Sequence, residues 1–106
     1  MNATPKLLSY LGFAAKARKL VSGGQAAELA VKKGQALLVL IEESAADNTK
    51  KQFSDMTSYR GIPYFVVDGE LGSAVGHEER KIIAITDPGF ASAVKNEINL
   101  NLGGKE

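Results

Sequence analysis

LVSGGQAAELAVKKGQALLVLI, residues 20–41, contains a complete strand–helix–strand unit. Leu20-Val21-Ser22 reads as a very short strand, followed by a turn at Gly23-Gly24. Residues 25–33 form an alanine-rich helix on which Glu28 and Lys32 pair at i, i+4. Ser22 and Gln25, three apart, read as a capping box at its start, and Gly34 as its left-handed stop. Ala36 to Ile41 is nearly all aliphatic, as a central strand covered on both faces requires. This order aims backbone N–H groups at an open helix start, where free donors and the helix dipole hold an anion.

The flanking sequence continues the alternation. Thr4-Pro5 opens an N-terminal helix with a hydroxyl cap and then proline. Leu7, Leu8, Leu11, Ala14 and Ala15 give it one apolar stripe. Asp47 or Asn48 caps a third helix that ends at Gly61, with Phe53 and Met56 as its thin apolar stripe. Ile62 to Val67 is a strand, Leu71 to Val75 a short helix closed by Gly76, and Lys81 to Thr86 a last, more alternating strand. Asp87-Pro88 starts a final helix lined by Phe90, Ala91, Val94 and Ile98. Residues 99–106 read as a polar, glycine-rich tail. Helices and strands joined by short links make an α/β fold, one domain over residues 1–98 with the sheet between helix layers.

Composition narrows the function. The chain has 106 residues, no cysteine and one histidine, which removes disulfides, thiolate metal sites and cysteine nucleophiles. MNATPKLLSYLGF lacks a signal-peptide core, and no segment approaches the roughly 20 apolar residues of a membrane span. A soluble, cytoplasmic protein without cofactor or metal is expected. Net charge is +1, yet residues 1–35 carry six Lys/Arg against one acid and residues 36–106 seven against eleven. A basic N-terminal third predicts an electrostatic footprint on one face.

The chemical motifs are mostly negative. There is no phosphate-binding G-x-x-x-x-G-K-[ST], no G-x-G-x-x-G and no G-x-S-x-G. Glu42-Glu43 leaves a strand with its side chains on opposite sides and reads as a solvated loop, not a catalytic pair. His77, in the charged run 76–81, reads as solvent-exposed, with RNA contact as the alternative. Gly72 and Gly76 let a short helix pack tightly and turn. The loop they lead into forms a second lip beside Gly23-Gly24 if the fold joins the two.

Taken together, LVSGG before an alanine-rich helix closed by K-K-G, an aliphatic strand, an I-P-Y strand and L-G-x-x-x-G resemble the large-subunit ribosomal protein seven-Ae family. The segments Asn48–Lys51, Tyr59–Pro63 and Thr86–Ala91 are most similar to its bacterial YlxQ-type members. The resemblance implies a three-layer α-β-α sandwich with a mixed four-stranded sheet, and kink-turn RNA held at the start of the second helix and the loop after L-G-x-x-x-G. The family's turn glycine falls at Gly23, the next residue at Gly24 and its asparagine at Gln25. Its glutamate and its RNA-facing lysine, which contact sheared G·A pairs, fall at Ala26 and Leu29, and its apolar loop at residues 77–80.

The expected function is therefore non-enzymatic RNA binding in ribosome or translation-related complexes. Lys16, Arg18, Lys19, Lys32 and Lys33 are expected on phosphates, and Gly23 and Gly24 at a close backbone approach. Gln25 reads a base edge, and Gly76, His77 and Arg80 form the second lip. The competing expectation is a protein-interaction module of the same fold with a decayed RNA site.

Overall fold

Thr4 and Pro5 start the first helix, α1 (Pro5–Lys16), in the expected way. The Thr4 hydroxyl accepts from the Leu7 N–H at 3.1 Å, and proline stands where no N–H is needed. In the computed structural model, which describes residues 2–103, the chain continues through β1 (Leu20–Ser22), α2 (Gly24–Lys32), β2 (Leu38–Glu42) and α3 (Asp47–Arg60). It then forms β3 (Tyr64–Val67), a single 3-10 turn (Ser73–Val75), β4 (Ile82–Ile85) and α4 (Pro88–Gly103). The sheet order is β1-β4-β2-β3, with β2 and β3 parallel and the other two pairings antiparallel.

Strand alternation divides the core into two layers. Leu38, Leu40, Ile83 and Ile85 face Leu7 and Leu11 of α1 and Val94 and Ile98 of α4. Val39, Ile41, Ile82 and Ala84 face Ala27, Ala30 and Val31 of α2 and Phe53 of α3. The three-layer sandwich expected from the resemblance is what the chain forms. Residues 82–85 are all buried, whereas the sequence suggested an alternating strand. Helices cover β4 on both faces and strands pair with it on both edges, so neither side of it meets water.

Each of the first three helices ends in the same device. After α2, the Gly34 N–H donates to Val31 O at 3.1 Å and the Gln35 N–H to Ala30 O at 2.9 Å, with Gly34 at φ +75°. Gly61 does the same for α3 at φ +68°. After α1 the left-handed residue is Arg18, at φ +59°, alone among described non-glycine residues in having positive φ. Its side chain makes this conformation costly. Arg18→Gly is expected to raise stability by about 0.5–1 kcal/mol, a gain of roughly 3–6 °C in melting temperature. A urea melt checks this, and an unchanged or lower midpoint would show that the arginine side chain compensates its own strain.

Three boundaries differ from the sequence expectation. Gly23, not Ser22, is the N-cap of α2, with no side-chain cap. Ser22 remains in β1 opposite Ile83, and its hydroxyl accepts from Arg80 instead. Ala46 precedes α3, and Asp47 lies inside its first turn, 3.5 Å from the Lys50 ammonium. Finally α4 continues through residues 99–103, where the polar tail was expected to begin. Asparagine only modestly lowers helix propensity, and the first glycine comes at 103. Residues 104–106 lie outside the described chain.

Candidate nucleic-acid interface

The start of α2 is open. Gly23, at φ +95°, turns the chain from β1 into the helix, and its own N–H donates to Ile82 O at 2.8 Å. The N–H groups of Gly24, Gln25 and Ala26 meet no acceptor among the described residues. The first helical bond begins with Ala27 N–H to Gly23 O at 2.9 Å. Three free donors at a helix N-terminus form an anion seat. The Arg80 side chain lies against Gly23, its Cδ 3.6 Å from where a β-carbon would stand, and Arg80 Nη1 donates to Ser22 Oγ at 3.0 Å. The guanidinium is thereby held next to Gly23, with the Glu79 carboxylate 3.8 Å from its Nε.

The second lip does come to the first. A groove of about 290 Å³ is lined by Leu20, Ser22 and Ala26 on one side and by Val75, His77 and Arg80 on the other. Ala15 and Val75 also line the adjoining hollow, where Lys16 faces Gly76. So Gly23, Gly24, Gly76, His77 and Arg80 line adjoining hollows at the start of α2, with Gln25 in its first turn and Lys16 beside Gly76.

Two residues build that lip from behind, and sequence reasoning missed one of them. Gly72 has ordinary helical angles, φ −60° and ψ −41°, so it is not needed for its conformational freedom. It is needed for space, because a β-carbon there would collide with the carbonyl oxygens of His77, Glu78 and Arg80. Glu42, assigned above to a solvated loop, is the last residue of β2 and is only 5% exposed. Its Oε2 accepts from the Leu71 N–H at 2.8 Å, and its Oε1 accepts from the Ser44 hydroxyl at 3.0 Å. The strand ends one residue later than the aliphatic run suggests, and that extra residue is this carboxylate. Nothing in the local sequence signals it, since its partner is a backbone group 29 positions away.

The expected ring of cations does not form. Lys32 and Lys33 are at the far end of α2, about 13 Å along a nine-residue helix. The Lys32 ammonium is 2.7 Å from Glu28, whose carboxyl it holds below the usual range by hydrogen bond and charge. Lys19 is at the end of β1 away from Ser22, its ammonium 3.9 Å from Asp87, and Arg18 occupies the turn before it. Exposed Glu78 and Glu79 follow the groove's own His77, and Glu43 and Asp47 bind Lys50 at the same end of the sheet. Sequence proximity grouped the lysines with Gly23; a helix and a strand carry them away from it. The groups left at the mouth are the backbone N–H groups and Arg80, with Lys16 in the adjoining hollow. Among the described residues no cluster of His, Cys, Asp or Glu could hold a metal, and no helix is long and apolar enough to cross a membrane.

The chain is similar to known proteins over most of its length. Residues 5–95 match the model of the ribosomal protein L7Ae/L30e/S12e/Gadd45 family. The chain is 40% identical over 84 residues to the RNA-binding protein YlxQ of Bacillus subtilis, covering 77% of this chain and 84% of that one. It is 32% identical over 95 residues to RNA-binding protein YlxQ of Enterococcus faecium, covering 88% and 91%. Among solved structures, a Bacillus halodurans protein of unknown function superposes with TM-score 0.85 at 38% identity, covering 91% of this chain and 99% of the other. A Giardia lamblia 15.5kD RNA binding protein shares the fold, with TM-score 0.72 at 23% identity over 88% and 81% of the two chains.

Proposed function

From the premise that this chain belongs to the L7Ae/L30e/S12e/Gadd45 family, we propose that it is a non-enzymatic RNA-binding protein that seats structured RNA at the open start of α2. One observation carries the reading: three unpartnered backbone N–H groups, at Gly24, Gln25 and Ala26, stand beside a fixed guanidinium. They would hold a phosphate, with the Gln25 amide free to reach a base edge and Lys16 and His77 along the groove. The YlxQ relatives' names support RNA as the partner. A translation-related ribonucleoprotein in the cytoplasm is the setting that the family suggests. Ala26 and Leu29 stand where the resemblance puts the glutamate and lysine that read G·A pairs. Selectivity is therefore proposed to follow the shape of a kinked or bulged RNA more than that base-pair signature.

Anisotropy titrations with a bulged hairpin and a plain duplex of equal length test this. Arg80→Ala is expected to weaken hairpin binding about tenfold and to reduce the salt slope by about one unit. The wild-type slope should be about −2 if Arg80 and Lys16 neutralise two phosphates. Equal affinity for both RNAs in wild type and variant would sink the proposed seat. The alternative, a protein-interaction module, is favoured by Leu29, which is 52% exposed on α2. It requires RNA binding to be absent or indifferent to Arg80.

A further inference from the structure

The positive charge that the mouth of α2 lacks is at the other end of the molecule. There α2 and α3 finish side by side, Lys32 and Lys33 on one and Arg60 on the other. Gln52 of α3 donates to Glu28 of α2 at 3.4 Å, an exposed contact between the two helices. Lys33 and Arg60 have no ion-pair partner among the described residues. Between the helix ends lies a hollow of about 440 Å³ floored by Ala36, Leu37, Ile62 and Pro63 and walled by Lys32 and Arg60. Beside it Tyr59 is 86% exposed, the most exposed large apolar side chain described, and the Arg60 guanidinium lies over its ring at 5.6 Å.

We infer that this end is a second RNA-contact surface, specific for unpaired nucleotides: a base stacks on Tyr59 while its phosphates meet Lys33 and Arg60. The inference rests on the RNA-binding reading above and extends it to a site about one helix length from the first. An exposed aromatic ring next to unpartnered cations is the pairing that binds single strands without sequence preference. The two helix C-termini bring about half a negative charge each, and Glu28 cancels Lys32. Lys33 and Arg60 still leave the patch positive. An acidic peptide would use those charges and leave the ring idle, which is why RNA is favoured over protein.

The test is an amide NMR titration of the whole protein with a uridine decamer, run in parallel with the bulged hairpin. The decamer is expected to shift residues 32–34 and 59–61. Tyr59→Ala should weaken its binding about tenfold, Tyr59→Phe should not, and Lys33→Ala/Arg60→Ala should reduce the salt slope by about 1.4 units. All three side chains are exposed, so an unchanged melting temperature confirms that the variants are folded. Decamer shifts confined to the Gly23 and Arg80 region would overturn this inference and leave the first seat standing. Shifts at neither end with either RNA would overturn both. Shifts at 32–34 and 59–61 alone with both the decamer and the hairpin would uphold this surface and remove the other.

Discussion

Gly72→Ala is expected to cost at least about 3 kcal/mol, lowering the melting temperature by roughly 10–20 °C. The added methyl would meet the carbonyl oxygens of His77, Glu78 and Arg80 at once. These are backbone atoms, so no rotamer change relieves the collision. Relief requires the 77–80 segment to move as a unit. That segment is tied back, however, by His77 N–H to Gly72 O at 2.9 Å, and Arg80 N–H to His77 O at 2.9 Å holds it as one turn. The energy is therefore lost either as global stability or as a displaced lip. Thermal melts and the amide shifts of residues 77–80 read the two, and a variant with native values of both would contradict the packing described here. Gly76→Ala gives a contrast: its β-carbon meets nothing within 4 Å, and only the positive φ of +84° opposes it. It should cost about 1–2 kcal/mol.

That contrast shows what the sequence could and could not carry. Gly34, Gly61 and Gly76 each follow a helical run, and a glycine in that position announces its own left-handed turn. The role of Gly72 depends instead on three carbonyls brought over it by a loop, which no local pattern encodes. The layers were legible because they rest on periodicity: α1 buries Leu7, Leu11 and Ala14 as its spacing dictates. The start of α2 was not legible because Ser22 looks like a cap but has a tertiary partner in Arg80, whereas at α3 Asp47 sits one residue further in, paired locally with Lys50. The candidate site was legible at its glycines and at the loop opposite them. The placing of the lysines was not, since charge counted along the chain says nothing of which end of a helix faces the site.

Glu42→Ala is expected to cost about 2–3 kcal/mol, and Glu42→Gln less than half of that. Alanine removes the acceptor of the Leu71 N–H, a donor on a fully buried residue. An orphaned buried donor loses its desolvation energy, here along with a charge-assisted hydrogen bond. Glutamine keeps an oxygen for Leu71. Its NH₂ then stands where Oε1 accepted from Ser44 at 3.0 Å, and a serine hydroxyl can turn from donor to acceptor. Only the charge assistance is lost. A double-mutant cycle isolates this switch: Ser44→Ala combined with Glu42→Gln should differ from Ser44→Ala alone by about 0.5 kcal/mol or more, beyond the cost of Glu42→Gln by itself. Since the bond anchors the segment leading into Gly72, Glu42→Ala should also weaken binding of the bulged hairpin. Glu42→Gln should leave that binding within about twofold of wild type. Equal stability losses for the two substitutions would mean that the carboxylate's charge, and not its acceptor at Leu71, fixes the lip.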